Sequence, residues 1–546
     1  MDALKAASQR RLLLGTCAIL SFAVFGRPAE AFEYDFNDGV TINFNNTLEY
    51  SLAERTSPES PIFRNNPNLN DGDNNLRAGI ISNRIDLLSE FNIAKNGFGF
   101  DGSVDSFYDS VYNQKTQNSD AFTYNPANEP ADKFTSATRT IAGRDIQLRN
   151  LYVFGSTSVD NVPVTLRVGR FVNIFGESLL FAANGISYGQ SPINIEEAVS
   201  VPNTEAKNLF LPVGQAMLTS QITDSISVSA YYQFEWQKFN YPPAGSYYNP
   251  LDFFGEGGER LIAFAPTAHS PGGYFYRGPD QSGADTGQFG IAIHYDPLTL
   301  PVDFGFYALQ YNDTQPQIYI RPAGGAPRYI SSTNSLSLGT YQEVFADHIQ
   351  IYGASSSFTY GPTNYAGEIS IRNHEDLTSS VTVLPGQNAN NTNSPLYAIG
   401  DTLHYQASAI FIGKANRLWD TSGIVAEVAG DNLLGFEKNR QNFDPSQRHM
   451  ALGLRAIFSA TYYEVLPALD LVPSIGVGWN FMGLAPDTQG FNNTGIDRGG
   501  DLTFGLNATY RNVWTGGIEY TTYVAPPNRD VYADRDFVTV NIERTF

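Results

Sequence analysis

The stretch Ile226–Trp236, ISVSAYYQFEW, decides the fold. Ile226, Val228, Ala230, Tyr232, Phe234 and Trp236 share one parity, while Gln233, Glu235 and Gln237 fall on the other. A β-strand sends successive side chains to opposite faces, so this stretch has one apolar face and one polar face. The same alternation runs through Val40, Ile42, Phe44, Leu48, Tyr50 and Leu52, and again through Leu502, Phe504, Leu506, Ala508 and Tyr510. Segments of about ten residues cross a bilayer as tilted strands, whereas strands of a soluble sandwich stay nearer five or six. The predicted fold is therefore all-β: a transmembrane antiparallel β-barrel, apolar toward lipid and polar toward its lumen.

The connections alternate too. Ala94–Gly97, Thr223–Ser225, Asp296–Pro301, Gly361–Asn364 and Asn512–Thr515 are short turns, and between them lie long polar or Gly-rich stretches at 53–78, 112–143, 239–285, 321–340, 378–398 and 485–500. Short turns on the periplasmic side and long loops outside are the habit of outer-membrane barrels. Dividing the chain this way gives eighteen strands, with sixteen as the alternative, and leaves both ends periplasmic. Two of the strands are expected at 225–238 and 342–360.

Composition excludes several other classes. Charged residues make up 16%, below the ~25% of ordinary globular domains. The net charge of −21 leaves no basic footprint for nucleic acid. Cys17 is the only cysteine, so disulfide frameworks and cysteine metal sites have nothing to build on. Lys5, Arg10 and Arg11, the apolar run Leu12 to Phe25 and the sequence Ala29-Glu30-Ala31 read as a signal peptide over 1–31, with the barrel at 32–546. After Ala31 no apolar run is long enough for a membrane helix. Val538, Val540, Ile542 and Phe546 share one parity, and a strand ending on Phe is what the barrel-assembly machinery recognises, although Arg544 interrupts the series. The expected location is the outer membrane of a Gram-negative bacterium, among its lipids and lipopolysaccharide.

Motifs of catalysis lack their contexts. Gly185-Ile186-Ser187-Tyr188-Gly189 matches the nucleophile elbow of hydrolases, but no strand–turn–helix surrounds it. The six histidines show no paired metal spacing; His374 and His404 fall on lumen parity. Asp71 and Asp73 lie in the amide-rich run Asn66–Asn75, which lacks the order of a calcium loop and reads as a polar turn. Gly255-Glu256-Gly257-Gly258 opens no helix and is no dinucleotide fingerprint. No enzyme activity, cofactor or metal is expected.

Three features point to transport. Segment 175–212 is too long and irregular for a strand; irregular backbone cannot face lipid, so it lies outside or folds into the lumen. Folded inward, it would line a constriction with Glu177, Ser178, Asn184, Asn194, Glu205 and Lys207, and the Glu177 carboxylate would meet Arg167 and Arg149. The loop 239–285 is rich in aromatics, among them Tyr241, Tyr247, Tyr248, Phe253, Phe254, Tyr274 and Tyr276. Such a loop presents an apolar surface to a ligand or partner, or packs on itself. Strand parity sends Arg84, Asp86, Glu90, Asp101, Asp105, Asp109, Arg149, Arg167, Glu235, Glu368, Arg372, Glu427, Arg455 and Glu519 to the lumen, where the acidic excess favours cations.

Specific stretches carry a family likeness: LRVGRFVNIFGES from Leu166, SPINIEEAV, LPVGQAML, ITDSISVSAYYQFEW and PAGSYYNPLDFFGEGG up to Gly258. LRAGIISNRIDL at Leu76, YAGEISIRNHEDL at Tyr365, GDTLHYQASAIF at Gly400 and LWDTSGIVAE at Leu418 agree. The chain resembles the proteobacterial outer-membrane family called domain of unknown function 1302. It departs at Phe175-Gly176-Glu177-Ser178, where the family usually has Trp before Gly-Glu-Ser. The family has no agreed activity; the resemblance implies an outer-membrane lipoprotein and an inner-membrane exporter as partners, in the handling of hydrophobic compounds. The function expected is a porin-like channel for small hydrophobic or aromatic molecules. A non-conducting structural barrel that binds envelope proteins is the first alternative, and a hydrolase using Ser187 the second.

Overall fold

A computed structural model describes residues 32–546 apart from 37–38, 78, 121–122, 202–208, 268, 332–333, 488–490 and 492–495. The expected leader over 1–31 lies outside the described residues. The barrel strands are β1 Val40–Arg55, β2 Gly79–Lys95, β3 Phe98–Asp109, β4 Arg144–Val159, β5 Val162–Phe171 and β6 Val213–Thr223. They continue as β7 Ile226–Gln233, β8 Gln288–Tyr295, β9 Val302–Tyr311, β10 Ile349–Tyr360, β11 Thr363–Leu377 and β12 Ala398–Gly413. The last six are β13 Thr421–Lys438, β14 Met450–Leu466, β15 Leu469–Met482, β16 Gly499–Tyr510, β17 Trp514–Val524 and β18 Phe537–Thr545. Each pairs antiparallel with its neighbour in sequence, and β18 closes the ring on β1 from Thr47↔Thr545 to Arg55↔Phe537. Eighteen strands form the closed barrel, as the alternation predicts.

Tight turns set the register. At the β2–β3 hairpin, Asn96 and Gly97 both take positive φ (51° and 85°), the mirror-image turn whose twist matches paired strands and which Asn-Gly adopts with little strain. Outside, Leu506, Ile518 and Val540 stand side by side on three neighbouring strands, all exposed. Such a row is stable only against lipid, since in water it would leave a broad apolar surface uncovered. Among the described residues no helix is long and apolar enough to cross a membrane.

Two expected strands end early. The alternation of 225–238 outlasts the sheet: β7 stops at Gln233, and the Trp236 indole donates to the Asp313 carbonyl (3.0 Å) and packs edge-on against Phe345 (4.9 Å). Period two continues there because the chain stays extended, not because it stays paired. The stretch 342–360 divides at His348, whose φ is 65°. Its first residues, 342–344, end the strand Ser335–Val344, which belongs to a second, six-stranded sheet with Gly272–Arg277, Arg260–Phe264, Gln317–Pro322, Arg328–Ile330 and Val381–Thr382. Residues expected to be plain loops thus build a cap at the long-loop end.

Candidate functional site: the inward segment and the lumen

After Phe171 the chain leaves the wall, and its described residues up to Val201 and from Leu209 run inward before β6 begins at Val213. Phe175, Ile186 and Tyr188 of this segment pack on Tyr231, Tyr307, Leu309, Ile349 and Ile351. Strand parity sends those wall residues into the barrel, opposite the exposed Tyr232, Phe306 and Tyr352. The lumen face is apolar there because the segment, not water, covers it.

Two carboxylates hold the segment by its backbone. Glu368 accepts from the Glu177 N–H (2.6 Å), the Ile186 N–H (2.9 Å) and the Gln406 side chain (2.9 Å). Glu427 accepts from three consecutive N–H groups, those of Leu179 (3.2 Å), Leu180 and Phe181 (3.0 Å). An anion beside successive amides gains charge-assisted bonds that are roughly twice as strong as neutral ones. Gly176 has φ 91°, and a Cβ there would collide with the Glu368 carboxylate. Arg372 closes the clamp by donating to the carbonyls of Ala183 (2.9 Å) and Gly185 (3.2 Å).

Glu177 does not meet Arg167 or Arg149. Its carboxyl lies near Asp303 and His294, and burial together with Asp303 raises its pKa. Arg149 faces Glu197 instead, at 3.5 Å, and Arg167 stays exposed on the lumen side. The expectation failed because it assumed that a charge is anchored by its side chain, whereas Glu177 is anchored through its backbone. Asn184 does reach the core, its amide nitrogen donating to the Gly430 carbonyl (3.4 Å) and its Oδ1 accepting from His404 Nδ1 (2.9 Å). Asn194 caps the short helix Ile195–Ser200 and donates to the Glu197 carboxylate (2.6 Å). Glu196 and Glu197 on that helix are both pushed up to about 7, chiefly by burial. Ser178 lies elsewhere in the segment, with its Cβ against Gly185; Glu205 and Lys207 lie outside the described residues.

Other predicted lumen charges find various partners. Arg84 pairs with Asp86 on its own strand at 2.7 Å, and Arg455 reaches Asp501 at 2.9 Å. Glu90 and Asp105 stay half-buried along the wall. Glu235 sits past the end of β7, where it accepts from the Gly214 N–H (2.6 Å) and pairs with Arg170. Ser187 is buried in a single turn of 3₁₀ helix, and His404 in the same core bonds Asn184 and Thr402. Asp73, expected in a polar turn, is buried in a short helix and pairs with Arg55 (2.7 Å) and Arg535 (3.4 Å).

The aromatic loop turns inward. Tyr247 and Tyr248 are buried on Phe537 and Phe134, and Tyr274 stacks under Arg260. Tyr241 packs edge-on against Phe254 (4.9 Å), and Phe253 against Tyr341 (6.1 Å). Tyr276 bonds the Ser335 hydroxyl inside the cap. Most of these rings therefore seal the loop onto the mouth and offer no outer apolar patch.

Among the described residues one group has metal-donor spacing: Glu375, His404 and Asp487 place ligand atoms within 4.8 Å. Arg372 already stands against this group, 3.0 Å from Glu375 and 3.6 Å from Asp487. The guanidinium supplies the positive charge that a metal would bring.

The fold and its contents define a class: a transmembrane β-barrel with a clamped inward segment and a capped mouth. The chain belongs to the family described as protein of unknown function (DUF1302), whose model matches residues 12–546. No curated protein matches it. Among solved structures it is similar to the outer membrane channel DcaP of Acinetobacter baumannii, at 8% identity and TM-score 0.38, covering 94% of this chain and 99% of that one. It is also similar to a BenF-like porin from Pseudomonas fluorescens Pf-5, at 8% identity and TM-score 0.42, covering 92% and 98%. OccK2 (OpdF) of Pseudomonas aeruginosa in complex with glucuronate gives 8% identity and TM-score 0.41, covering 92% and 98%.

Proposed function

We propose that the protein is an outer-membrane channel that passes small hydrophobic or aromatic molecules, with the inward segment narrowing the path. The observation that carries this reading is the division of the lumen. The segment and the cap fill one part against an apolar wall, while toward the short-turn end Arg167 remains exposed and Glu90 and Asp101 half-buried. Barrels of 16–18 strands are wide enough to hold water. An apolar, aromatic-walled neck above a wet, charged vestibule selects by size and apolarity before it selects by charge. Tyr188, Tyr231, Tyr307 and Tyr311 are the buried rings through which the segment packs to narrow the neck, and the groups that hold it are Glu368, Glu427 and Arg372.

Single-channel recording of the purified protein in planar bilayers tests the reading. Small, noisy conductance is expected, together with entry of benzoate-sized aromatics into proteoliposomes. A silent bilayer and impermeable vesicles would favour the structural barrel that binds other envelope proteins.

A further inference from the structure

We propose that the barrel has a lateral portal between residues 144–150 and 234–241, through which a small apolar molecule with a hydrogen-bonding group moves between the lumen and the outer part of the bilayer. The proposal rests on the channel reading and adds a second way out of the lumen.

The first observation is a strand edge that no described strand covers. β4 pairs with β3 along its upper length, up to Arg144↔Tyr108. On its other side it pairs with β5 only from Leu151↔Arg170 downward. β5 ends at Phe171, where the chain turns inward, and β7 ends at Gln233. The wall is therefore cut low beside residues 144–150. In this stretch the Ile146 N–H donates to the side chain of Asp145 at 2.9 Å. Closure of a barrel removes edges, and a bare edge cannot face hydrocarbon, because lipid offers its N–H and C=O groups nothing to bond. An edge at this place requires a space that admits water or a polar solute.

The second observation is that space. A cavity of about 550 Å³ lies against the edge, within the size range of small-molecule sites. Its lining includes Ile146 and Leu148, which are 76% and 46% exposed on the outer parity, and Arg149, which is 5% exposed on the inner. Neighbouring residues of one strand point to opposite faces. A cavity that touches both faces of one strand goes round its edge and passes through the wall. Leu211 of the inward segment and Phe239 of the loop form its far side.

The chemistry of the passenger follows from the charges. Arg149 faces Glu197, Arg170 pairs with Glu235, and Lys238 is 2.6 Å from Glu256. Every cation of the lining is already matched by a carboxylate, so a charged passenger would gain no counter-ion for its lost hydration. An uncharged molecule with an apolar body and a hydroxyl or carbonyl fits: the body lies on Ile146, Leu148 and Phe239, and the polar group bonds the paired side chains. A partner's β-strand added to the edge would meet residues 237–241 across the cavity, and Asp145 already serves the Ile146 N–H.

The test is photolabelling of the whole protein in phosphatidylcholine vesicles with a neutral alkyl alcohol that carries a diazirine and dissolves in the bilayer. Adducts mapped by mass spectrometry are expected on Leu211, Phe239 and Arg149 as well as on the lipid-facing Leu151 and Val153. Filling the passage with Leu148→Trp should cut the inner adducts about tenfold while leaving those on Leu151 and single-channel conductance unchanged. Adducts confined to the outward residues in the unmodified protein would overturn the portal, and would leave the edge to a strand-adding partner. A barrel that labels inside yet never conducts would sink the channel reading and keep the portal, so the two can fail separately.

Discussion

The two sides of the barrel wall are unequal. On the tall side, β12, β13 and β14 run 16, 18 and 17 residues. On the low side, β5 to β8 run 10, 11, 8 and 8 residues. The tall side faces lipid with long ladders whose register shifts fall near the strand ends, and it offers Glu427 from its inner face. The low side gives up its upper strands to the inward segment and the aromatic loop, and its inner face is aromatic. One side thus acts as scaffold and holds the clamp; the other carries the proposed passage. The proposed passage lies where the hydrogen-bonded wall is lowest, because there backbone can be rerouted without breaking the ring.

The clamp is the strongest test of this contrast. Replacing Glu368 and Glu427 together by Ala removes the acceptors of five backbone N–H groups. Each buried group left without a partner costs about 1–3 kcal/mol. The segment should leave the lumen, and single-channel conductance should rise several-fold while the barrel still migrates as a folded, heat-modifiable band. Unchanged conductance would mean that the segment does not limit the path.

Lipid exposure gives the next largest effect. Val428 lies on the tall side with its side chain outward, and Arg there should cost roughly 2–4 kcal/mol, as for a charge near the bilayer midplane. Ile146 is also outward but stands at the open edge, where Arg should cost only about 0–1 kcal/mol, as for an interfacial site. Urea unfolding in lipid vesicles measures both. Equal losses would mean that the low side is sealed by lipid after all.

The same contrast explains what the sequence could and could not disclose. Turn chemistry such as Asn96-Gly97 and period-two alternation mark all eighteen strands, since both are local. Parity also sends Glu368 and Glu427 inward. It cannot say that they bind amides at 177–186, because the partners lie far off in sequence and a backbone N–H carries no residue-type signal. A hint does exist in β9: Phe304 and Phe306 point out while Tyr307, Leu309 and Tyr311 point in. A barrel strand apolar on both faces must be covered inside as well as outside. The cap sheet left less trace, since short strands such as Arg328–Ile330 and Val381–Thr382 are below the length at which alternation is legible.

The smallest expected effect is on pH, and its sign follows from the helix Ile195–Ser200. Burial raises Glu196 and Glu197 to about 7 when the segment is docked; released into water, each returns to the ordinary range near ~4.3. The docked state therefore binds more protons between those values, and docking weakens as pH rises from about 5 to 7, then levels off. Those values already include the groups facing the two carboxyls: after burial, Arg84 and Arg149 favour the ionised forms, while Asp86, Asp105 and Asp109 oppose them. The net result should be brief openings that are more frequent at pH 8 than at pH 5. Glu196→Gln with Glu197→Gln should weaken this dependence and leave the clamp at Glu368 and Glu427 in place. A pH profile that the double substitution leaves unchanged would place the titrating group elsewhere, and the low side would then lose its claim to be the part that moves.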